Sequence, residues 1–161
     1  MTMIKISPIR AHEDPAIAQI IVDVGAEFGA IGEGYGPSDA EVSCMSQYYL
    51  REQNAMYLVA TVDGQIVGGC GIAPLADLER TCELKKLFLL PEARGLGIGK
   101  KLVMECLHFA KERGFSQCYL DTLANMTKAI SLYEKLGFEH LDRQLGGTAH
   151  SGCDVWMMKN L

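Results

Sequence analysis

Nowhere does this chain carry an apolar run of the roughly 18–20 residues that a membrane-spanning helix needs, so no membrane partner is expected. Its first residues, Met1-Thr2-Met3-Ile4-Lys5, lack the apolar stretch and small-residue cleavage site of a secretory leader. The expected compartment is therefore cytoplasmic. Basic charge is also short, with 15 Lys and Arg against 20 Asp and Glu and a formal net charge of −5. Nucleic-acid affinity is driven by neutralising phosphates across a basic face. Lys85-Lys86, Lys100-Lys101 and scattered arginines do not build such a face, so no nucleic acid is expected as a partner.

None of the six cysteines (Cys44, Cys70, Cys82, Cys106, Cys118 and Cys153) forms a Cys-x-x-Cys pair, and most sit inside apolar runs. Buried Cys packs as a small hydrophobe, so these read as reduced core residues in a reducing compartment. Cys106-x-His108 comes nearest to a metal-ligand spacing, but residues two apart on a helix point in different directions, and no metal site is expected. Internal repeats, low-complexity tracts and linkers are missing too. What is there is 161 residues, 48% hydrophobic and 22% charged, which suits one domain spanning residues 1–161.

The pattern along the chain is mixed. Ile4 to Ile9 reads as a strand. Asp14-Pro15 reads as an N-cap with Pro at the first helical position, and Ile17, Ile20, Ile21, Val24 and Phe28 recur at helical spacing. A glycine-rich connection follows over 29–37. Ser38-x-x-Glu41 has the form of a capping box and predicts a second helix running to about Leu50. Strands are expected over Tyr57 to Val62 and Ile66 to Ala73, joined by the hairpin signal Asp63-Gly64. Glu83 to Leu90 is the next strand, and a helix from about Gly97 to Arg113 is stopped by Gly114. Ser116 to Thr122, a helix over Thr127 to Leu136 stopped by Gly137, Phe138 to Arg143 and Val155 to Lys159 complete the order. Hairpins come first, then a strand-helix-strand unit whose crossover implies parallel pairing. The fold class is α/β, with helices packed on a mixed sheet.

The chemistry concentrates in Leu87-Phe88-Leu89-Leu90-Pro91-Glu92-Ala93-Arg94-Gly95-Leu96-Gly97-Ile98-Gly99-Lys100. An apolar strand runs into a glycine-rich turn and straight into a helix. Glycines let the backbone approach a ligand closely, and N–H groups at a helix start converge on one spot with the helix dipole behind them. That is an anion cradle suited to a pyrophosphate, the alternative being a tight turn without a ligand. A Walker loop is excluded because Gly99-Lys100 is followed by Lys101 rather than Ser or Thr. A dinucleotide fingerprint is excluded because Gly95-x-Gly97-x-Gly99 is not Gly-x-Gly-x-x-Gly.

Arg94-x-x-Gly97-x-Gly99 resembles the coenzyme A pyrophosphate loop of the GNAT superfamily of N-acetyltransferases. Leu120-Asp121-Thr122-x-x-Asn125-x-x-x-Ala129-Ile130-x-Leu132-Tyr133-Glu134-Lys135-Leu136-Gly137-Phe138 is similar to the second block of that family. Together they cover Glu83 to Phe138. The segment Ala149 to Met157 resembles a bacterial subgroup acting on small molecules. The resemblance implies the acyl-CoA N-acyltransferase fold, a mixed central sheet flanked by helices on both faces. It also implies acetyl-CoA as co-substrate and transfer of its acetyl group to the primary amine of a small metabolite, such as an amino acid, by direct attack in a ternary complex.

The same resemblance assigns residues. Coenzyme A contacts are expected along Leu87, Phe88 and Leu89 and from Arg94 through Gly95, Leu96, Gly97, Ile98 and Gly99 to Lys100, with Leu89 the candidate to meet the thioester carbonyl. Asn125 either bonds the pantetheine arm or caps a helix. Tyr133 either acts as general acid beside the sulfur or packs on the core face with Ile130 and Leu136. Glu83 either acts as general base or is a surface charge paired with Lys85. Lys85 or Lys86 could take a substrate carboxylate, strand alternation letting at most one face the cleft. Glu33 and Tyr35 fall where related enzymes line the acceptor pocket, and His150 could serve as a proton shuttle. Other readings are a protein N-terminus or lysine side chain as acceptor, or a non-catalytic acetyl-CoA sensor. Oligomeric state stays open, exposed sheet edges being compatible with a homodimer.

Overall fold

The computed structural model of the chain describes residues 1–145 and 151–161. Among them, the strands are β1 (Ile4–Pro8), β2 (Met56–Val62), β3 (Gln65–Pro74), β4 (Thr81–Leu89), β5 (Gln117–Thr122), β6 (Glu139–His140) and β7 (Val155–Asn160). They form one sheet in the order β1-β2-β3-β4-β5-β7-β6. Every pairing is antiparallel except β4 with β5, which is parallel as its helical crossover requires. The helices are α1 (Asp14–Glu27), the single turn α2 (Met45–Tyr48), α3 (Ile98–Glu112) and α4 (Thr127–Lys135). No helix among the described residues is long and apolar enough to cross a membrane.

Strand alternation divides the apolar side chains between two cores. Met56, Leu58 and Ala60 of β2 join one core with Ile98, Leu102, Val103, Cys106 and Phe109 of α3. Tyr57 and Val59, on the opposite face, join Ile17 and Ile21 of α1 and Met45 of α2. The helices thus lie on both faces of the mixed sheet. Cys70, Cys82, Cys106 and Cys118 are buried free thiols, as their apolar surroundings predict.

Three local expectations are overturned. The helix predicted over 38–50 breaks into 3-10 turns at Gly36–Ser38 and Ala40–Cys44 before α2. Ser38 Oγ turns back to donate to the Tyr35 carbonyl at 2.8 Å, and Asp39 and Glu41 reach inward to Lys86 and Lys85. The buried Lys86 and half-buried Lys85 compete for those carboxylates better than the local capping box does. Asp14 does not cap a helix either. It is the first residue of α1, and its carboxylate accepts from the Ser46 N–H at 2.9 Å and from the Ser46 hydroxyl, tying α1 to α2. The strand expected over Phe138 to Arg143 is reduced to Glu139 and His140.

Candidate active site

The site begins with a defect in the sheet. Gly69 of β3 pairs with Phe88 and Gly71 with Lys85, so β4 carries one residue more than its partner across this interval. The extra residue is accommodated at Lys86, whose φ of +54° lies in the left-handed region. Glycines opposite make room: a Cβ on Gly71 would lie 2.6 Å from the Tyr57 ring and 2.8 Å from the Tyr49 ring. With that space open, the Tyr57 hydroxyl donates to the Lys86 carbonyl at 2.9 Å and holds the bulge. On the other side, β4 pairs with β5 only as far as Glu83 opposite Tyr119. Beyond that point the strands part, and the gap between them is where ligands can enter.

One side of the gap opens onto a cleft of about 490 Å³, lined by Leu87, Phe88, Leu89, Arg94, Gly95, Gly97, Ile98, Gly99, Lys100 and Asn125 among others. Gly95 and Gly97 have φ of +81° and +80°, and a Cβ at either would meet nothing within 4 Å. Gly97 is the N-cap of α3 and supplies no side-chain acceptor, so the first N–H groups of that helix start beside open space. An anion fits this arrangement on backbone geometry alone. Lys100 and Lys128 add positive charge at the lining. Arg94 spans the cleft: its guanidinium donates to the Glu27 carboxylate of α1 at 2.7 and 2.9 Å and to the Leu89 carbonyl at 3.1 and 2.9 Å, and lies 5.4 Å over the Phe28 ring. The hydrogen bond from Arg94 holds the Glu27 carboxyl below its ordinary range. Asn125 does not cap α4. Its Nδ2 donates to the Phe28 carbonyl at 2.8 Å, fixing the α4 side of the cleft to the end of α1.

The other side of the gap is a cavity of about 80 Å³. Tyr35, Gly36 and Pro37 cover it from the α1 side, Glu83 to Phe88 from β4, Leu120 to Leu123 from β5, and Tyr133 and Cys153 complete it. Phe28, Leu87, Phe88 and Met126 border both spaces, which are therefore adjacent. Tyr133 is 6% exposed, with its ring 5.8 Å from that of Phe138, and burial pushes its phenol well above the ordinary range. Packing and placement at the cavity are thus not alternatives for this residue. Glu83 is buried in the same wall and does not pair with Lys85, which instead bonds Glu41 at 3.2 Å.

Strand alternation fails for the two lysines. Lys85 and Lys86 both line the cavity, because the bulge at Lys86 interrupts the alternation. Lys86 Nζ, in a side chain 2% exposed, lies 2.8 Å from Asp39 and 3.3 Å from Glu41. Tyr35 stands at the cavity, and Gly152 packs against its ring while donating its N–H to the Gly34 carbonyl at 2.9 Å. Glu33 is exposed and is not among the described residues lining the cavity, and Leu96 points to solvent at 47% exposure. His150 lies outside the described residues.

Comparison with known proteins decides the family. The sequence profile of the acetyltransferase (GNAT) family matches residues 26–138, which take in the loop, the strand gap and α4. The chain belongs to the GNAT family. It is 44% identical over 152 residues to the uncharacterized N-acetyltransferase YjgM of Escherichia coli (strain K12), covering 93% of this chain and 90% of that protein. It is 34% identical over 101 residues to human N-acetylaspartate synthetase, covering 63% of this chain but only 33% of that protein. The PaiA N-acetyltransferase of Thermoplasma acidophilum, solved in complex with coenzyme A, shares the fold at a TM-score of 0.77 and 22% identity over 99% of both chains.

This GNAT protein is accordingly an acetyl-CoA-dependent N-acetyltransferase. Several residues that shape its site escaped the sequence reading. Phe28, at the end of α1, is held by Arg94 on one side and Asn125 on the other, and only its helical spacing marked it. Glu27, Asp39 and Lys128 carried no local signal and Glu41 was marked only as part of a capping box, since each acquires its partner or its place through chain reversal. Asp121 was visible inside the second motif without a role.

Proposed function

We propose that this acetyltransferase acts on the primary amine of a small molecule, with the cofactor in the 490 Å³ cleft and the amine in the 80 Å³ cavity. The observation that carries this reading is the adjacency of the two spaces, which share Phe28, Leu87, Phe88 and Met126 as a border, with Glu83 and Tyr133 lining the cavity side. The size of the cavity, roofed by Tyr35 to Pro37, suits a small acceptor better than a polypeptide. A relative named N-acetylaspartate synthetase is compatible with a small-molecule acceptor.

In this reading the N–H groups at the start of α3 and the loop from Arg94 to Lys100 bind the pyrophosphate, and Asn125 borders the pantetheine arm. The end of β4, around Leu87 to Leu89, offers backbone N–H groups to the thioester oxygen, where negative charge develops. Glu83 takes the proton that the amine must lose, directly or through one water. The nitrogen lone pair forms the bond to the carbonyl carbon, and the carbon–sulfur bond breaks. Tyr133, kept neutral by burial, presents its O–H to the departing sulfur. The proton it yields is replaced by the one removed from the nitrogen, so the enzyme ends unchanged. Holding both reactants in line supplies a large part of the acceleration.

An acceptor screen tests the proposal. Purified protein with acetyl-CoA is offered amino acids, diamines, amino sugars and short peptides while free thiol is followed. Turnover with small amines and none with peptides is expected. Turnover with peptides alone would overturn the small-molecule assignment.

A further inference from the structure

We infer that this enzyme refuses acyl groups longer than acetyl, and that the ring of Phe28 sets the limit. The inference rests on the cofactor lying in the cleft and the amine in the cavity, as proposed above. The thioester then sits where the two spaces meet, and the side chains around that border limit the acyl group.

Among the described residues, four border both spaces, and all are apolar: Phe28 at the end of α1, Leu87 and Phe88 of β4, and Met126 just before α4. Two of them have another task. Leu87 packs against the core on the α3 side and Phe88 against the core on the α1 side, so the fold needs their bulk in any case. Phe28 and Met126 belong to neither core. Met126 can yield, being unbranched and flexible, with only a weak bond to its sulfur from the Thr122 hydroxyl at 3.5 Å. Phe28 is clamped. Arg94 lies 5.4 Å over its ring, and that guanidinium is itself fixed by Glu27 and by the Leu89 carbonyl. From the other wall of the cleft, Asn125 Nδ2 holds the Phe28 carbonyl at 2.8 Å. A half-buried ring held from two elements and packed in neither core is explained by what it faces.

The cavity beyond adds to the limit. At about 80 Å³ it is roughly half the size of an apolar cavity of about 150 Å³ that takes one benzene. An amine and the propyl tail of a butanoyl group do not fit there together. An acetyl methyl stays at the border, whereas each further methylene must pass Phe28 to reach space the amine needs. A misfit of one methylene in an apolar pocket is worth roughly 10- to 200-fold in discrimination. Phe28→Ala isolates the ring, because it keeps the carbonyl that Asn125 binds and the bonds from Arg94 to Glu27 and Leu89.

Acetyl-, propanoyl- and butanoyl-coenzyme A, titrated calorimetrically into the whole protein, test this. The unmodified protein is expected to bind butanoyl-coenzyme A at least ten-fold more weakly than acetyl-coenzyme A, with propanoyl-coenzyme A between. Phe28→Ala should bring the three within three-fold of one another, whatever their common affinity becomes, and Phe28→Tyr, which keeps a ring, should retain the original order. If Phe28→Ala binds none of them, Phe28→Leu carries the same test, and loss of all binding there too assigns Phe28 to structure and overturns the inference. Equal or undetectable binding by the unmodified protein, or a preference that survives loss of the ring, also overturns it. Gly97→Glu separates this from the reading beneath it. Unchanged affinity for all three thioesters in Gly97→Glu would sink the cofactor placement and this inference with it. Lost binding in Gly97→Glu, beside equal binding in the unmodified protein, would sink the inference alone. Turnover with peptides alone would overturn the proposed acceptor and leave the order of the thioesters as the test of Phe28.

Discussion

Tyr133 illustrates how one side chain can serve two ends. Its ring belongs to the core beside Phe138, and the residue also lines the cavity proposed to take the acceptor. Removing only that oxygen tests the catalytic half: Tyr133→Phe should lower kcat by roughly 100-fold, the lower end for a general acid, while acetyl-CoA affinity measured by equilibrium binding stays within two-fold. Full activity would return Tyr133 to packing alone. Lys86 is the opposite case, a charge placed where charge is costly. With its side chain 2% exposed, Lys86→Met removes a buried positive charge that lies 2.8 Å from Asp39 and 3.3 Å from Glu41. A loss of about 3–5 kcal/mol in denaturant unfolding is expected from breaking such a buried pair. Gly71→Ala should cost about 1–3 kcal/mol by the same measurement, because the added methyl would press on the Tyr57 and Tyr49 rings at 2.6 and 2.8 Å.

At the scale of elements, function is carried by two interruptions of regular structure. The first is the loop into α3, where Gly95 and Gly97 take left-handed conformations with open space around them. Gly97→Glu adds strain at a φ of +80° and places a carboxylate where the proposed pyrophosphate would sit. Acetyl-CoA affinity should fall by more than 100-fold with only a small drop in melting temperature, and unchanged affinity would refute the pyrophosphate assignment. The second is the bulge in β4. A one-residue insertion shifts the side-chain alternation, which is why both lysines of the Lys85-Lys86 pair line one cavity. Sequence periodicity assigns them to opposite faces because it assumes an unbroken strand. The glycines of β3 were legible in the sequence, but their consequence depended on which strand they would pair with.

For the whole molecule, the network around Glu41 joins the segment after α1 to the central strand, and its ionisation couples fold stability to pH. Burial opposes ionisation of Glu41, but Lys86, Lys85 and the Tyr49 hydroxyl outweigh it, so the folded carboxyl lies below its ordinary value. A carboxylate depressed on folding contributes stability that is present above the unfolded value of about 4.3 and is lost as pH falls through the folded value. Thermal unfolding should therefore show stability declining below about pH 4, and Glu41→Gln should flatten that decline. An acid limb unchanged in Glu41→Gln would place the loss elsewhere.

The element order, the parallel crossover between β4 and β5 and the glycine loop before α3 were all determined by the sequence itself. Each rests on local backbone preference or on the period of apolar residues, and these act over a few residues of chain. The missed helix over 38–50 marks the limit of that reasoning. Ser38 and Glu41 stand at capping-box spacing, yet their partners are Tyr35 on one side and a lysine 44 residues away on the other. Only the tertiary structure decided which carboxylates meet Lys85 and Lys86, that Asn125 holds Phe28 across 97 residues, and that Glu83 and Asp121 share a cavity wall. Those pairings follow from strand order and from a bulge, and a side chain's neighbours across a sheet have no fixed spacing in the chain.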